Sequence, residues 1–126
     1  MVKQILVIDD EDDIREIAKV SLQISKQWQV LTACSGQEGV AIATAYQPDA
    51  ILLDVIMPDV DGLTTLDTLK KTPATQRIPV IMLTATGGIV SDQQYAELGA
   101  QAIMAKPFDP GLLGDQIAAA LHWDSD

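Results

Sequence analysis

Apolar and polar positions along this chain alternate between two periods. Five short, mostly apolar runs stand out: Lys3 to Ile8, Trp28 to Ala33, Ala50 to Asp54, Pro79 to Thr84 and Ala102 to Lys106. Runs of this length between turn residues predict strands, and those that are apolar throughout predict strands buried on both faces of a parallel sheet. The second run alternates only weakly, which places it nearer the sheet edge. Between the runs the period becomes helical. From Asp13, Ile14, Ile17, Ala18 and Leu22 recur at helical spacing, flanked by Val20 and Ile24. Ser35 is a predicted cap for a helix that starts at Gly36 or Gln37 and stops before Pro48. Leu63, Leu66 and Leu69 mark a third helix that ends near Lys70-Lys71-Thr72-Pro73. A fourth runs from about Ser91 to Leu98 with Gly99 as its C-cap, and the last starts near Asp109 and carries Leu113, Ile117, Ala120 and Leu121.

Five strand-then-helix units follow, with no repeat, low-complexity tract or linker between them. A single domain over residues 1–126 is therefore expected. Right-handed crossovers with helices on both faces make a doubly wound α/β fold, and five units predict the parallel strand order 2-1-3-4-5. Chemistry in such folds gathers outside the carboxyl ends of the strands. The third run delivers Asp54 to that place, and the first run brings Asp9 and Asp10 beside it. Thr84 and Lys106 end the neighbouring strands at the same crevice.

Composition changes this picture in two ways. The 48% hydrophobic content suits one sizeable core, while the net charge of −10, with only eight Lys and Arg, argues against a direct nucleic-acid partner. It favours basic partners or cations. No apolar run is long enough for a membrane span and no charged-then-apolar leader precedes Val7, so a cytoplasmic location is expected. Cys34, a lone cysteine, reads as a small residue at a strand end. His122 reads as a surface residue at a helix C-terminus, and Trp28 and Trp123 belong to no paired motif. Gly111 and Gly114 weaken the last helix, a tolerated cost.

The acidic run Asp9-Asp10-Glu11-Asp12-Asp13 has a plain reading as a helix start, which accounts for Asp12 and Asp13. Asp9 and Asp10 lie at the strand end instead, where crowded like charge calls for a cation. Magnesium takes oxygen ligands, keeps several waters and typically uses one or two carboxylates plus phosphate oxygens. Asp10 and Asp54 are the predicted direct ligands, with Asp9 acting through water. Thr84 can donate a hydroxyl hydrogen bond to a phosphoryl oxygen, and Lys106 supplies a point charge. The set suits phosphoryl transfer, with Asp54 as nucleophile forming an aspartyl phosphate. A flavin or nucleotide module is disfavoured, because the loop after the first strand carries carboxylates where a phosphate cradle uses glycine and backbone amides.

Asp9-Asp10, Asp54 with Met57-Pro58 and Asp61-Gly62, Thr84-Ala85 and Lys106-Pro107-Phe108 together resemble the receiver-domain signature of bacterial response regulators, over nearly the whole chain. The likeness is to stand-alone, CheY-like receivers with a flavodoxin-like sheet. It implies a histidine kinase or histidine phosphotransfer protein as donor to Asp54, Mg2+ as cofactor, and a cis peptide between Lys106 and Pro107. It also implies the backbone carbonyl of Ile56 as a metal ligand. The protein would be a phosphoacceptor and no enzyme in its own right, bind a downstream protein through the 91–123 face, and have the option of pairing with a second copy there. Two departures stand out. Ile103 occupies the position where the family carries the aromatic that follows the threonine in switching, so the signal would travel through the loop from Ala85 to Gly88, which serves equally as a plain turn. Ile56 and Thr86 offer no carboxylate or amide to orient a hydrolytic water, so a long-lived phosphorylated form is expected. The rival reading as a phosphatase with an aspartyl nucleophile is disfavoured, because such enzymes carry another Asp where Ile56 stands. The alternative retained is a degenerate receiver acting as a phosphorylation-independent interaction module.

Overall fold

The computed structural model describes residues 2–54, 62–85, 92–106 and 108–123. Strand and helix alternate throughout: β1 (Gln4–Ile8), α1 (Asp12–Lys26), β2 (Gln29–Ala33), α2 (Gly36–Tyr46), β3 (Ala50–Asp54), α3 (Gly62–Lys71), β4 (Val80–Ala85), α4 (Asp92–Glu97), β5 (Ala102–Lys106) and α5 (Leu113–Ala120). The strands form one parallel sheet in the order β2-β1-β3-β4-β5, as the alternation predicts. β3 lies at its centre with all five residues buried.

Alternate residues of a strand point to opposite faces, and the core divides accordingly. Leu6, Ile8, Ile51, Leu53, Val80 and Met82 pack under α2, α3 and α4 through Ala43, Leu66, Leu69 and Tyr95. Ile5, Val7, Leu52, Ile81 and Leu83 pack under α1 and α5 through Ala18, Leu22, Leu113 and Ile117. Full burial of one such side chain contributes about 1.5–3 kcal/mol, so the two faces together outweigh any single polar contact on the surface.

The helix ends follow from local chemistry. Ser35 Oγ accepts the Glu38 N–H at 3.1 Å, which caps the start of α2, and Glu38 Oε1 reaches back to accept the Cys34 N–H, just ahead of the cap, at 3.0 Å. Gln47 ends α2 in the left-handed region at φ 51, and its Nε2 donates to the Ala74 carbonyl at 2.8 Å, tying α2 to the loop before β4. Asp49 closes the bottom of the sheet: its carboxylate accepts the Gln4 N–H at 2.8 Å and its own N–H donates to the Gln4 carbonyl at 2.7 Å.

Some helical expectations need adjusting. Within α1, Ala18 and Leu22 are buried, but Ile17 is 43% exposed and Ile24 76% exposed. The apolar stripe is wider than the face that the sheet covers. The last helix begins at Leu113 and not near Asp109, because Asp109 folds the chain into a turn first: its Oδ1 accepts the Gly111 N–H at 2.8 Å and its carbonyl accepts the Leu112 N–H at 3.0 Å. Gly114 has a packing role that composition does not show. A Cβ there would lie 2.6 Å from Lys26 Cγ, so glycine is what lets α5 lie against α1. Lys26 also pairs with Asp115 at 2.6 Å across the same seam.

Trp28 and Trp123, unpaired in sequence, meet in the fold with ring centroids 5.3 Å apart and planes at 88°. Lys3 Nζ lies 4.6 Å from the Trp123 ring centroid. This cluster closes the end of the sheet where β1 and β2 begin.

Candidate functional site

Strand register builds the site. Ile8 pairs with Leu53, so β1 and β3 leave the sheet together and present Asp9 and Asp54 side by side. Asp54 pairs with Leu83, which puts Thr84 one residue further along β4. Thr84 pairs with Ala105 and Ala85 with Lys106, which sets Lys106 two residues beyond the carboxylate row, about 7 Å at the usual strand rise. Four of the predicted site residues thus stand at one end of four adjacent strands.

Asp9 is fully buried and Asp54 is 2% exposed. Asp9 is held from three sides. Its N–H donates to the Ala33 carbonyl at 3.1 Å, its Oδ1 accepts the Glu11 N–H at 2.9 Å, and its carbonyl accepts from Arg15 Nη1 at 2.7 Å. The second bond curls the chain so that Glu11 returns to the side of Asp9. Carboxylate oxygens of Asp9, Glu11 and Asp54 accordingly lie within 4.8 Å of one another. Asp10, half-buried on the same loop, is outside that group among the described residues.

Glu11 is therefore the site residue that the sequence pattern does not single out. The signal was present in the alternation, since residues i and i+2 share a side as a strand ends, but a run of five carboxylates hides it. Ile56, expected to lend its carbonyl, lies outside the described residues, as do Met57, Pro58, Asp61, Thr86, Gly87, Gly88 and Pro107, so the cis peptide is outside them too. Lys106 is placed by its backbone in β5. Ile103 packs, half-buried, against the cluster that includes Met82 and Tyr95.

Three carboxylates brought together, two of them buried, form a donor set of hard oxygens with no histidine or thiol among them. Such a set fits a hard divalent cation and not a soft one. It cannot serve as a cradle for a bare phosphate. Phosphate could approach only where a cation offsets the like charge.

Comparison with known proteins agrees with this geometry. The family model for the response regulator receiver domain matches residues 5–118. Among solved structures, chemotaxis protein CheY4 of Vibrio cholerae superposes with a TM-score of 0.87 at 28% identity, covering 95% of this chain and 99% of that one. A response regulator described as putative, from Chloroflexus aurantiacus, superposes with a TM-score of 0.86 at 32% identity, covering 97% and 99%. Among curated relatives, the DNA-binding dual master transcriptional regulator RpaA of Synechocystis is 40% identical over 84% of this chain and 44% of its own length. The phosphate regulon transcriptional regulatory protein PhoB of Pseudomonas aeruginosa is 38% identical over 95% of this chain and 52% of its own. The chain spans about half the length of these curated relatives.

Proposed function

The chain belongs to the family of response regulator receiver domains, signalling domains of two-component phosphorelays, and from that premise we propose that Asp54 is its phosphoryl acceptor. The observation that carries this reading is the strand-end row itself: a buried carboxylate on the central strand, with Asp9 beside it and Thr84 one step above. The chain acts as one receiver domain over residues 1–126, and a histidine kinase or histidine phosphotransfer protein is the donor.

Asp9, Asp10 and Asp54, with the Ile56 carbonyl, would hold Mg2+, and Glu11 joins them because its carboxylate groups with Asp9 and Asp54. When bound, the cation supplies charge neutralisation between an anionic nucleophile and an anionic donor. An Asp54 carboxylate oxygen attacks the donor phosphorus. The P–N bond of a phosphohistidine breaks, its electron pair stays on the imidazole nitrogen, and the product is an acyl phosphate. Thr84 donates its hydroxyl to one phosphoryl oxygen and Lys106 offers its charge to another.

Phosphorylation gives Asp54 roughly −1.5 to −2 charge and three strong acceptors. A hundredfold change in partner affinity needs about 2.7 kcal/mol of difference between two conformations. Engagement of Thr84 and Lys106 in one of them supplies it. The downstream protein binds the 91–123 face, where β5 is the edge strand and an open groove of about 610 Å³ runs between β5 and α5 past Ile103, Phe108 and Gln116. Among the described residues no helix is long and apolar enough to cross a membrane.

Intact mass after incubation with Mg2+ and a small-molecule phosphodonor tests the reading. The native chain should gain one phosphoryl group. Asp54→Asn and a chelator-treated sample should gain none, and gain in the Asn variant would remove Asp54 from its role.

A further inference from the structure

The loop that carries Asp9 and Glu11 is anchored by one basic side chain. Arg15, in the first turn of α1, donates from Nη1 to the Asp9 carbonyl at 2.7 Å and from Nη2 to the Asp12 carboxylate, and its side chain is only 17% exposed. The contact with Asp12, which is 87% exposed, is an i,i+3 surface pair of a kind that contributes little by itself. The bond to the Asp9 carbonyl is different in kind. It fixes the peptide joining Asp9 to Asp10, and so the direction in which the acidic loop leaves the sheet. With the Asp9 N–H held by Ala33 and Oδ1 by the Glu11 N–H, Arg15 closes the remaining backbone group of Asp9.

We infer that Arg15 is a positioning residue for Mg2+: its planar fork spans the Asp9 carbonyl and the Asp12 carboxylate and so pre-sets the carboxylates of the acidic pocket. The inference rests on the reading of that pocket as the Mg2+ site. Two effects of Arg15 oppose each other. As a cation it repels Mg2+, so charge alone predicts that losing it tightens binding. As an anchor it removes the ordering cost of the loop, so losing it weakens binding. Positioning wins here because the guanidinium is mostly enclosed and bonds a backbone carbonyl, and outer partners of this sort typically matter about 10–100-fold in metal affinity.

Calorimetric titration with Mg2+ alone, on the native chain, Arg15→Lys and Arg15→Gln, tests this. Arg15→Lys keeps the charge and loses the fork. Both variants should bind Mg2+ about tenfold more weakly. Phosphorylation from a small-molecule donor should need correspondingly more Mg2+ yet reach the native maximal rate, a split that a merely structural defect would not produce. Arg15→Lys binding Mg2+ as the native chain does, or Arg15→Gln binding it more tightly, overturns the inference and leaves the pocket reading intact. A folded native chain that takes up no Mg2+ overturns both. Should the variants not fold, the guanidinium resonances of the native chain decide: hindered rotation of the Arg15 Nη groups supports the anchor, and free rotation overturns it.

Discussion

Lys70 sits where an ammonium is poorly solvated. Its Nζ donates to the Ile78 carbonyl at 2.7 Å and the Gln76 carbonyl at 3.3 Å, in the loop that enters β4. Burial pushes its pKa below the ordinary 10.5. The sign of the consequence is fixed by linkage: between the lowered folded value and 10.5, the unfolded chain binds the proton and the folded chain does not, so stability rises with pH. Unfolding free energies of the native chain and Lys70→Met, compared in alkaline buffers, should therefore shift in favour of the native chain as pH approaches 10.5. A difference that is flat or falls with pH would refute it. The same side chain is crowded by the turn after α4, where Gly99 has φ +104 and a Cβ would lie 2.8 Å from Lys70 Cγ. Gly99 was legible as a cap because only glycine takes that conformation without strain. Its neighbour Lys70 was not, since nothing in a lysine near a helix end announces that its ammonium turns inward. Asp9 and Asp54 were legible for a reason of the same local kind, each being a charge at the end of an apolar run. Arg15 matters through a bond to a backbone carbonyl, which leaves no imprint on residue type, and Glu11 was hidden among four neighbouring carboxylates.

Among the helices, α5 shows how an end can be specified without glycine. His122 takes the left-handed region at φ 58, the Trp123 N–H donates to the Ala118 carbonyl at 2.8 Å, and the His122 N–H donates to the Ala119 carbonyl at 3.3 Å. These are the two bonds of a Schellman motif. Left-handed backbone costs a residue with a Cβ roughly 1–2 kcal/mol, and glycine escapes that cost. His122→Gly should consequently raise the urea midpoint by an amount equivalent to about 1 kcal/mol, and a lowered midpoint would mean that the imidazole itself holds the end. The sequence pattern identified the existence and type of each element here, because strand and helix periods differ so plainly. It misjudged which apolar positions of α1 face the sheet and where α5 begins. Both depend on how far a helix is rotated or delayed by its neighbours, as Gly114 against Lys26 and the turn at Asp109 show.

At the scale of the whole molecule, register does the assembling. Pairing of Ile8 with Leu53, Asp54 with Leu83 and Ala85 with Lys106 converts four separate sequence fragments into one crevice. Strand order was open to inference from the alternation of units, and with it the convergence of Asp9, Asp54, Thr84 and Lys106. The pairing of Trp28 with Trp123 was not, because it joins the start of an edge strand to the chain beyond the last helix, and neither belongs to a periodic pattern.

That aromatic pair gives the protein an optical property. Its only two indoles form one contact at the end of the sheet remote from Asp54, beneath the Lys3 ammonium. Intrinsic emission is thus blind to events in the acidic pocket unless they are transmitted through the strands. Mg2+ alone should leave the spectrum unchanged, whereas a change on phosphorylation would time the arrival of the switch at the opposite pole of the domain. Quenching by Mg2+ in the unphosphorylated chain would show instead that the two poles are mechanically coupled before any phosphoryl group arrives.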